Sequence, residues 1–567
     1  MTSPARIPLS LSLFLLISTT LLSVVAPAQT ASAPTTRPDM ATAAGELLDR
    51  TCREGEPGVA VLVARGDTVL FRAARGAADV EKGVPMKPED MFRIGSVTKQ
   101  FAAAAVLILV EAGKVSLDDP LTKYVPGYPG GDRITVLQLL NHTSGVKSYT
   151  GIPGYMQDGI RNDLTTTQLI DVFKDLPTDF EPGAGWAYNN SGYVLVGAVI
   201  EAASGKPWHV YLEEALFKPL GMTHTGYGND PAITARQVKG YTSVDGKTAP
   251  MNTLSMTQPH AAGALVSNVD DLLKWNRALH EGRILKEKTY TAMITPVGKA
   301  ADEGPRYGFG VMRTTVRGQD AIQHGGGIFG FVSSLTYVPG ADVTVAVLEN
   351  IDRRSPPGQT ENLARRLAAM ALGDPYPEAK PVPVELATLQ AAEGVYRFDA
   401  ETTRTLRIVD GKLTSQRSGS PQIGLMAIGV DEFLFEDGFV RLKLERDEKG
   451  RVARIRFVPD GEGSGVIGVR TDDDIVPVEV KLTSAEKARF VGVYTNGVIK
   501  LTVTLDGEAL KGRIEGQDAF TLRAKSARRF VVEDAGAELE FADGAEPASN
   551  ATIHQNGRRL NLPRLKD

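Results

Sequence analysis

Apolar residues along the first two-thirds of the chain occur in runs that differ in length and spacing. Residues 101–110 and 192–203 are almost wholly apolar, a pattern typical of helices buried on every side rather than of surface helices with one apolar stripe. Residues 58–64 and 67–72 are shorter runs around an Arg-Gly pair, which predicts two strands joined by a tight turn. Residues 265–280 contain a Ser-Asn-Val-Asp-Asp start and predict a further helix.

The segment that follows returns to strand-like patterns and ends in a predicted helix at residues 362–371. The predicted strands are residues 307–313, 321–324, 331–338 and 342–348. Two early strands, a helical middle and several late strands imply one antiparallel sheet flanked by helices, with both ends of the segment in it. We therefore predict one α+β domain at residues 41–374. Residues 375–384 are rich in proline and predict a linker.

The last third of the chain is built from short alternating strands, and it repeats itself. Gly394-Val-Tyr396 recurs as Gly492-Val-Tyr494, and further matches keep an offset near 96 to 98 residues. Residues 385–475 and 476–567 therefore predict two small antiparallel β-barrels or half-barrels. Neither unit contains clustered His, Asp or Glu, so we interpret both as structural, with ligand binding as the alternative.

The first residues have the pattern of a secretory signal peptide at residues 1–28. Arg6 is followed by the apolar stretch 9–25 and by Ala26-Pro-Ala28, a small-residue cleavage site. Residues 29–40 are rich in Ala, Thr and Pro and predict a linker. We expect a periplasmic or secreted protein with no stable membrane insertion after cleavage; a retained anchor is the alternative.

Composition excludes several classes of function. The net charge is −5, which gives no argument for binding nucleic acid. Cys52 is the only cysteine and the 7 histidines have no ligand spacing, so the sequence predicts no disulfide within the chain, no metal site and no cofactor. A metal-dependent hydrolase is disfavoured for the same reason.

Ser96 and Lys99 form the first candidate for catalytic chemistry. They stand three residues apart at the start of the helix predicted at residues 101–110, so the hydroxyl and the amine share one face. Burial lowers the pKa of a lysine, which can then act as a base toward the serine. Ser-x-x-Lys occurs twice more, at Ser144/Lys147 and Ser484/Lys487, without a long buried helix after it. A plain helix cap is the alternative for Ser96.

Tyr188 and Asn190 form the second candidate, in a turn before the helix predicted at residues 192–203. A phenol beside a protonated lysine has a lowered pKa and can relay protons, and the asparagine amide can hold both the lysine and a substrate carbonyl. Tyr-x-Asn alone is a weak signal, because it also occurs at Tyr227/Asn229 and Tyr494/Asn496.

His324, Gly325 and Gly326 form the third candidate. A dinucleotide-binding loop is excluded, because a strand and not a helix follows these glycines. A glycine-rich strand end instead lets a substrate lie close to backbone N–H groups. A histidine of the core or the surface is the alternative for His324.

Together the three motifs, in this order and spacing, resemble the serine β-lactamase and penicillin-binding protein superfamily. The resemblance is to its class C-like branch, which includes class C β-lactamases, D-alanyl-D-alanine carboxypeptidases, D-aminopeptidases and related esterases. It covers about residues 45–372, and Leu139-Leu-Asn-His-Thr-Ser-Gly145 supports it. The D-aminopeptidases of this superfamily also have two β-barrel domains after the catalytic domain, and the repeat at the end of this chain implies the same architecture.

The resemblance implies roles for the motif residues. Ser96 would attack a carbonyl and become acylated, while Lys99 and Tyr188 would transfer protons. The N–H groups of Ser96 and Gly327 would form the oxyanion hole. The remaining motif residues would bind substrate; they are Asn190, His324, Gly325 and Gly326.

The sequence departs from the β-lactamase pattern at the third motif. Members that prefer penicillins often have Lys-Thr-Gly where this chain has His324-Gly-Gly326, and many have proline where it has Phe329. We therefore expect an exported serine hydrolase that cleaves a small ester or a D-amino-acid-containing amide or peptide, with peptidoglycan fragments among its substrates. The alternatives are a class C-like β-lactamase and a non-catalytic penicillin-binding-like protein.

Overall fold

The computed structural model describes residues 39–565 with short gaps. The gaps are residues 245–246, 303–304, 353–358, 400–401, 410, 419–421, 437, 460, 462, 472–481, 498, 516–518, 533–536, 543–546 and 556–557. The predicted signal peptide and nearly all of the predicted linker at residues 29–40 lie outside the described residues. Within the described part, every helix is too short or too polar to cross a bilayer.

A six-stranded antiparallel sheet forms the centre of the first domain. In spatial order its strands are Met312–Val316, Gln319–Ile328, Phe331–Val338, Val343–Glu349, Val59–Arg65 and Thr68–Arg75. The two early strands thus complete a sheet begun by the late strands, which confirms the prediction that both ends of the segment enter it. Strands Val59–Arg65 and Val343–Glu349 are apolar at most successive positions, and this pattern explains why they lie in the centre of the sheet with both faces covered.

Two hydrophobic cores lie on opposite faces of the sheet. Successive residues of strand Val59–Arg65 belong alternately to one core and to the other, and six of its seven residues are fully buried. Helices Thr98–Glu111 and Asn190–Ser204 pack in the larger core, which confirms that these apolar runs are buried helices. Helices Met40–Thr51 and Gln359–Ala371 cover the other face.

Shorter elements surround the larger core. The further helices of this domain are Val136–Leu140, Thr166–Asp171, Trp208–Leu212, the π-helical turn Glu213–Phe217, Lys218–Leu220, Pro231–Thr234, His260–Gly263, Val269–His280, Glu287–Ile294 and Lys299–Asp302. Short strands are Ala77–Asp79, Val84–Pro85, Phe92–Arg93, Gly226–Tyr227, Tyr241–Val244, Lys247–Pro250 and Leu265–Ser267. These elements place the start of helix Thr98–Glu111 at the edge of a cleft.

Two predicted elements are wrong in their bounds. The helix predicted at residues 265–280 begins only at Val269, because Leu265–Ser267 pairs as a strand with Phe92–Arg93. The strand predicted at residues 307–313 begins only at Met312. Gly310 adopts a φ of +70°, which turns the chain before the strand can start.

The last third of the chain folds into two β-barrels. The first has a closed sheet of strands Gly394–Arg397, Thr403–Val409, Lys412–Arg417, Gln422–Gly429, Glu432–Phe435, Arg441–Arg446, Val452–Val458 and Val466–Arg470. The second has strands Gly492–Thr495, Lys500–Asp506, Ala509–Ile514, Phe520–Ala524, Arg529–Val532, Ala537–Phe541, Asn550–Gln555 and Arg558–Pro563. One short helix precedes each barrel, Leu386–Ala392 and Ser484–Ala488 respectively. A bridge between Tyr494 and Arg564 nearly closes the second barrel, so the prediction of two barrels is confirmed.

The first barrel packs on the closing helix of the first domain. The Tyr376 and Phe439 rings lie 4.2 Å apart, and the Arg366 guanidinium stacks over the Phe439 ring at 4.5 Å. Aromatic and cation–π contacts of this kind fix the orientation of the barrel on the helix.

Candidate active site

Ser96 and Lys99 meet at the start of a buried helix. Ser96 lies in the 3₁₀ turn Gly95–Val97 that leads into helix Thr98–Glu111, and the Lys99 Nζ is 3.0 Å from the Ser96 Oγ. Lys99 is completely buried, and this burial lowers its pKa well below 10.5. This shift favours the unprotonated amine, the form that the sequence analysis expects to act as a base toward Ser96.

The other partners of Lys99 orient its lone pair. The Nζ donates to the Asn190 Oδ1 and to the Ala262 carbonyl oxygen, both at 2.9 Å. These two oxygens only accept hydrogen bonds, so in the unprotonated amine they take both N–H groups. The lone pair is left facing the Ser96 hydroxyl, which can donate its proton to it.

Tyr188 completes this group from the turn before helix Asn190–Ser204. The Lys99 Nζ lies 4.7 Å from the centre of the Tyr188 ring, and the Tyr188 hydroxyl is close enough to Ser96 for that hydroxyl to affect its pKa. Burial of the hydroxyl raises the pKa of Tyr188 and the interaction with Ser96 lowers it in part, while 38% of the residue is exposed. The predicted lowering of this pKa is wrong, because burial raises it more than the interaction with Ser96 lowers it.

The structure places Asn190 at the same point, with a second bond that fixes its amide. Its Nδ2 donates to the Thr150 Oγ1 at 3.2 Å, while its Oδ1 accepts from Lys99. Thr150 was not singled out in the sequence, because it lies in a turn 40 residues away that has no motif of its own.

The third motif approaches Ser96 along strand Gln319–Ile328. A Cβ on Gly95 would lie 2.9 Å from the Gly327 nitrogen, and a Cβ on Gly326 would overlap the Ile94 carbonyl group. Glycine at these positions therefore allows the strand to contact the Ser96 turn. Gly327 borders the cleft beside Ser96 with open space around its Cα, and the oxyanion hole formed by their N–H groups stays a prediction.

His324 lies behind the site rather than in the cleft. It is buried, its Nδ1–H donates to the Gly325 carbonyl at 2.6 Å, and its Nε2 accepts from the Tyr307 hydroxyl at 2.8 Å. Burial and the proximity of Lys99 lower the pKa of His324 to about 3, so the ring is neutral. Both nitrogens are thus engaged by protein atoms and His324 does not line the cleft, so its predicted contact with substrate stays a prediction.

His142 is a further buried histidine behind Tyr188, inside the stretch Leu139–Gly145 noted in the sequence. Its ring centre lies 4.5 Å from that of Tyr188 and 4.5 Å from that of Tyr307. Its Nδ1 accepts the Asn189 N–H at 3.2 Å, and burial lowers its pKa well below 6.5. Its φ of +66° is unusual for a histidine, so the fold holds this ring against Tyr188 at some cost in backbone energy.

The other copies of the two short motifs have different surroundings. Lys147 forms an ion pair with Asp179 at 2.6 Å, and Ser484 is exposed in a short helix. Neither lysine is buried as Lys99 is, so context separates the three Ser-x-x-Lys matches as the sequence predicted.

The cleft above Ser96 has a volume of about 380 Å³. Asn190 and Gly327 lie on its walls, with Phe329 and Met156 among the apolar groups. Within the described residues, no group of three His, Cys, Asp or Glu side chains could hold a metal ion. The arrangement supplies a nucleophile, a buried amine with a lowered pKa, a phenol and backbone N–H groups, which together suit acyl transfer.

Comparisons with known proteins agree with this geometry. A family model described as "Beta-lactamase" matches residues 36–370. The chain is 28% identical over 335 residues to a D-aminopeptidase from Gluconobacter oxydans (strain 621H), and the match covers 56% of this chain and 60% of that protein. It is 37% identical over 199 residues to esterase EstB from Burkholderia gladioli, covering 32% of this chain and 50% of the esterase.

A solved structure is similar over the same region. A D-amino acid amidase from Ochrobactrum anthropi SV3, complexed with L-phenylalanine amide, has a TM-score of 0.53 and 26% sequence identity, and the match covers 59% of this chain and 99% of the amidase. The chain spans between a half and two-thirds of the length of the two curated relatives.

Proposed function

The chain belongs to the β-lactamase family of serine hydrolases, and on that premise we propose that it is an exported enzyme that cleaves a small ester or a D-amino-acid-containing amide through an acyl-enzyme on Ser96. One observation carries the proposal. The fully buried Lys99 amine, whose pKa burial lowers, contacts the Ser96 hydroxyl and donates to Asn190 and Ala262; once unprotonated, it has its lone pair free for the Ser96 proton.

Acylation follows from this arrangement. The Ser96 hydroxyl gives its proton to the Lys99 amine while the oxygen attacks the substrate carbonyl carbon. The negative charge that develops on the carbonyl oxygen is stabilised by the N–H groups of Ser96 and Gly327. When the tetrahedral intermediate collapses, the leaving alcohol or amine takes the proton from Lys99 through the Tyr188 hydroxyl, and the acyl group stays on Ser96.

Deacylation reverses these transfers with water as the nucleophile. The water gives a proton to Lys99, directly or through Tyr188, and attacks the acyl carbon. The Ser96 oxygen leaves and recovers the proton. Because its pKa is raised, Tyr188 keeps its own proton between steps and acts as a hydrogen-bond donor.

The neutral third motif supports an ester or amide rather than a penicillin. Penicillins and peptides that end in D-alanine carry a free carboxylate, which a lysine at this place can pair with. His324 is neutral and both of its nitrogens are bonded to protein atoms. The names of the relatives, a D-aminopeptidase, an esterase and a D-amino acid amidase, support the same substrate classes. Peptidoglycan fragments contain D-amino acids and are one natural source of such substrates.

The test is rapid mixing of residues 29–567 with p-nitrophenyl acetate. We expect a burst of nitrophenol equal to one per protein, then steady turnover, and an acetyl group on Ser96 by mass spectrometry after acid quenching. Ser96→Ala should abolish both, whereas Ser484→Ala, at an exposed Ser-x-x-Lys match, should change neither. Undiminished turnover by Ser96→Ala would refute the proposal.

Substrate choice within the class is tested separately. D-alanine p-nitroanilide, L-alanine p-nitroanilide and benzylpenicillin are compared at equal concentrations. We expect hydrolysis of the D-amide or of the ester, and slow release of any penicilloyl group. Fast penicillin turnover with no action on esters or D-amides would establish the β-lactamase alternative instead.

Export rests on the pattern of residues 1–28 alone. Expression of the full chain in a Gram-negative host should give a periplasmic protein that lacks these residues. An intact N-terminus on protein recovered from the cytoplasm would refute export without affecting the hydrolase proposal.

A further inference from the structure

A second cavity, of about 1240 Å³, lies between the second barrel and the first domain. One wall is the open end of the barrel, where Leu501, Val532 and Ile553 point inward from different strands. The opposite wall is formed by residues 150–154, 156–157, 179–180 and 185–186, with Trp186 among them. An eight-stranded barrel is just wide enough to hold a small ligand when its interior is not filled by side chains.

The first barrel provides an internal comparison, because equivalent residues follow from the strand pairing. In the first barrel Arg404 pairs with Arg417, and in the second barrel Leu501 pairs with Ile514 in the equivalent register. Two more equivalent pairs follow from the registers of later strands. They are Leu425–Phe435 with Leu522–Val532, and Leu442–Phe457 with Leu539–Ile553. The equivalent residues thus stand 96 or 97 positions apart.

The equivalent end of the first barrel is filled. The Phe435 and Phe457 rings contact each other edge to face at 5.7 Å, and the Arg404 guanidinium stacks over them at 5.3 and 4.1 Å. In the second barrel the same three positions are Val532, Ile553 and Leu501, all smaller or uncharged. The cavity is therefore found where the second barrel lacks the large side chains that fill the equivalent end of the first barrel.

The cavity lies directly beside the catalytic cleft. Thr150 and Met156 line both, and Thr150 accepts the hydrogen bond that orients Asn190. A substrate bound at Ser96 that extends past Thr150 therefore reaches the mouth of the second barrel.

The charges around the cavity favour an uncharged occupant. Lys147 is paired with Asp179 at 2.6 Å and Glu538 with Lys525 at 2.5 Å, while Arg559 is exposed to solvent. The barrel side supplies aliphatic and aromatic groups such as Ile514 and Phe520, which gain by excluding water.

We propose that the open end of the second barrel is a binding site for an uncharged hydrocarbon or aromatic group of the substrate whose scissile bond lies at Ser96. The inference rests on the proposed hydrolase function. It implies that the substrates are amphipathic, with a reactive ester or amide group and an apolar tail. The site selects for tail length and apolarity, since each methylene that enters the cavity raises kcat/KM by about fourfold.

The test compares two substrate series with the unmodified protein and with a variant that closes the mouth. One series varies the acyl chain, from p-nitrophenyl acetate to the decanoate; the other varies the alcohol of acetate esters, from ethanol to decanol. Leu501→Arg, Val532→Phe and Ile553→Phe together copy the filled end of the first barrel. Thr521→Phe adds a similar ring on the exposed outer face of the same barrel as the matched control.

We expect kcat/KM to rise with chain length in at least one series for the unmodified protein and the control, and to lose this rise in the closed variant while acetate hydrolysis is kept. Hydrolysis of the acetate with no dependence on length in either series would refute the inference and leave the proposed function standing. If the unmodified protein did not hydrolyse the acetate ester at all, the proposed function itself would be refuted.

Binding is also measured independently of turnover. This measurement uses the unmodified protein and Trp186→Phe, so it tests the site even if the closed variant fails to fold. Trp186 lines the cavity, whereas Trp208 and Trp275 are buried in the core. Titration of the unmodified protein with decan-1-ol should therefore change the tryptophan fluorescence, and Trp186→Phe should abolish the change. No change in fluorescence and no heat of binding by calorimetry would refute the site.

Discussion

Substitution of three successive glycines by alanine offers a sharp test of how the strand and the nucleophile turn fit together. Gly325, Gly326 and Gly327 lie in one strand, yet a methyl group would meet different surroundings at each. On Gly326 it would overlap the Ile94 carbonyl oxygen and the Ser333 hydroxyl, and it would lie 3.0 Å from the Ile94 carbonyl carbon. On Gly325 its nearest contact, the Ser333 carbonyl oxygen, would be at 3.6 Å, and on Gly327 it would meet nothing within 4 Å.

The expected magnitudes follow from these contacts. In Gly326→Ala the strand must move away from the backbone next to Ser96, which costs about 1–3 kcal/mol of stability as overpacking. The Gly327 N–H then leaves its place, and loss of one oxyanion donor lowers kcat by about 10²- to 10³-fold. Gly325→Ala and Gly327→Ala keep the backbone in place, so we expect their kcat for p-nitrophenyl acetate within about threefold of the unmodified protein.

The assay measures kcat with p-nitrophenyl acetate and the thermal midpoint by circular dichroism for all three variants. Gly325→Ala is the matched control, since it adds the same methyl group to the same strand one residue earlier. Equal activity and equal thermal midpoints for Gly325→Ala and Gly326→Ala would refute the argument that close approach at Gly326 positions the oxyanion donor.

Three further predictions concern the buried polar groups. Lys99 must be neutral to accept a proton, and burial lowers its pKa. We therefore expect kcat/KM to rise with pH and to reach a plateau well below pH 10.5. A rise that continues to pH 10.5 would contradict this. Three buried histidines, His260, His280 and His324, have pKa values of about 3 in the folded state and about 6.5 in the unfolded state. Unfolding below pH 6.5 therefore takes up protons, and the thermal midpoint should fall as the pH drops from 6.5 to 4.5. A constant midpoint over this range would contradict the prediction. Tyr307→Phe leaves the His324 Nε2 without its donor and should cost about 1–3 kcal/mol in urea unfolding, and no loss would mean that this bond adds nothing.

Local patterns predicted the elements that are buried on all sides. The runs that became Thr98–Glu111 and Asn190–Ser204 are apolar at nearly every position, so no other arrangement satisfies them. Leu265–Ser267 was missed as a strand because its partner, Phe92–Arg93, lies far away in the sequence. A three-residue strand has no periodicity of its own, and only its pairing identifies it.

The candidate site shows the same division between local and distant information. Ser96 and Lys99 are three residues apart on one helix, so their contact follows from helical geometry. The direction of the Tyr188 pKa shift and the position of His324 depend on burial and on a hydroxyl from Tyr307, which the sequence around each residue does not contain. Thr150 was missed for the same reason, since its role exists only through Asn190.

The two barrels show why a repeat predicts architecture but not a cavity. The features that set strand register recur: Tyr396 and Tyr494 are both fully buried, and each donates its hydroxyl to the carbonyl four residues earlier. The side chains at the barrel end do not set register, so Phe435 can be replaced by Val532 without a change of fold. Whether a barrel is filled depends on side-chain volumes contributed by several strands at once. Differences between the repeats at positions that register does not constrain are therefore where a binding function can arise, and the open end of the second barrel is such a place.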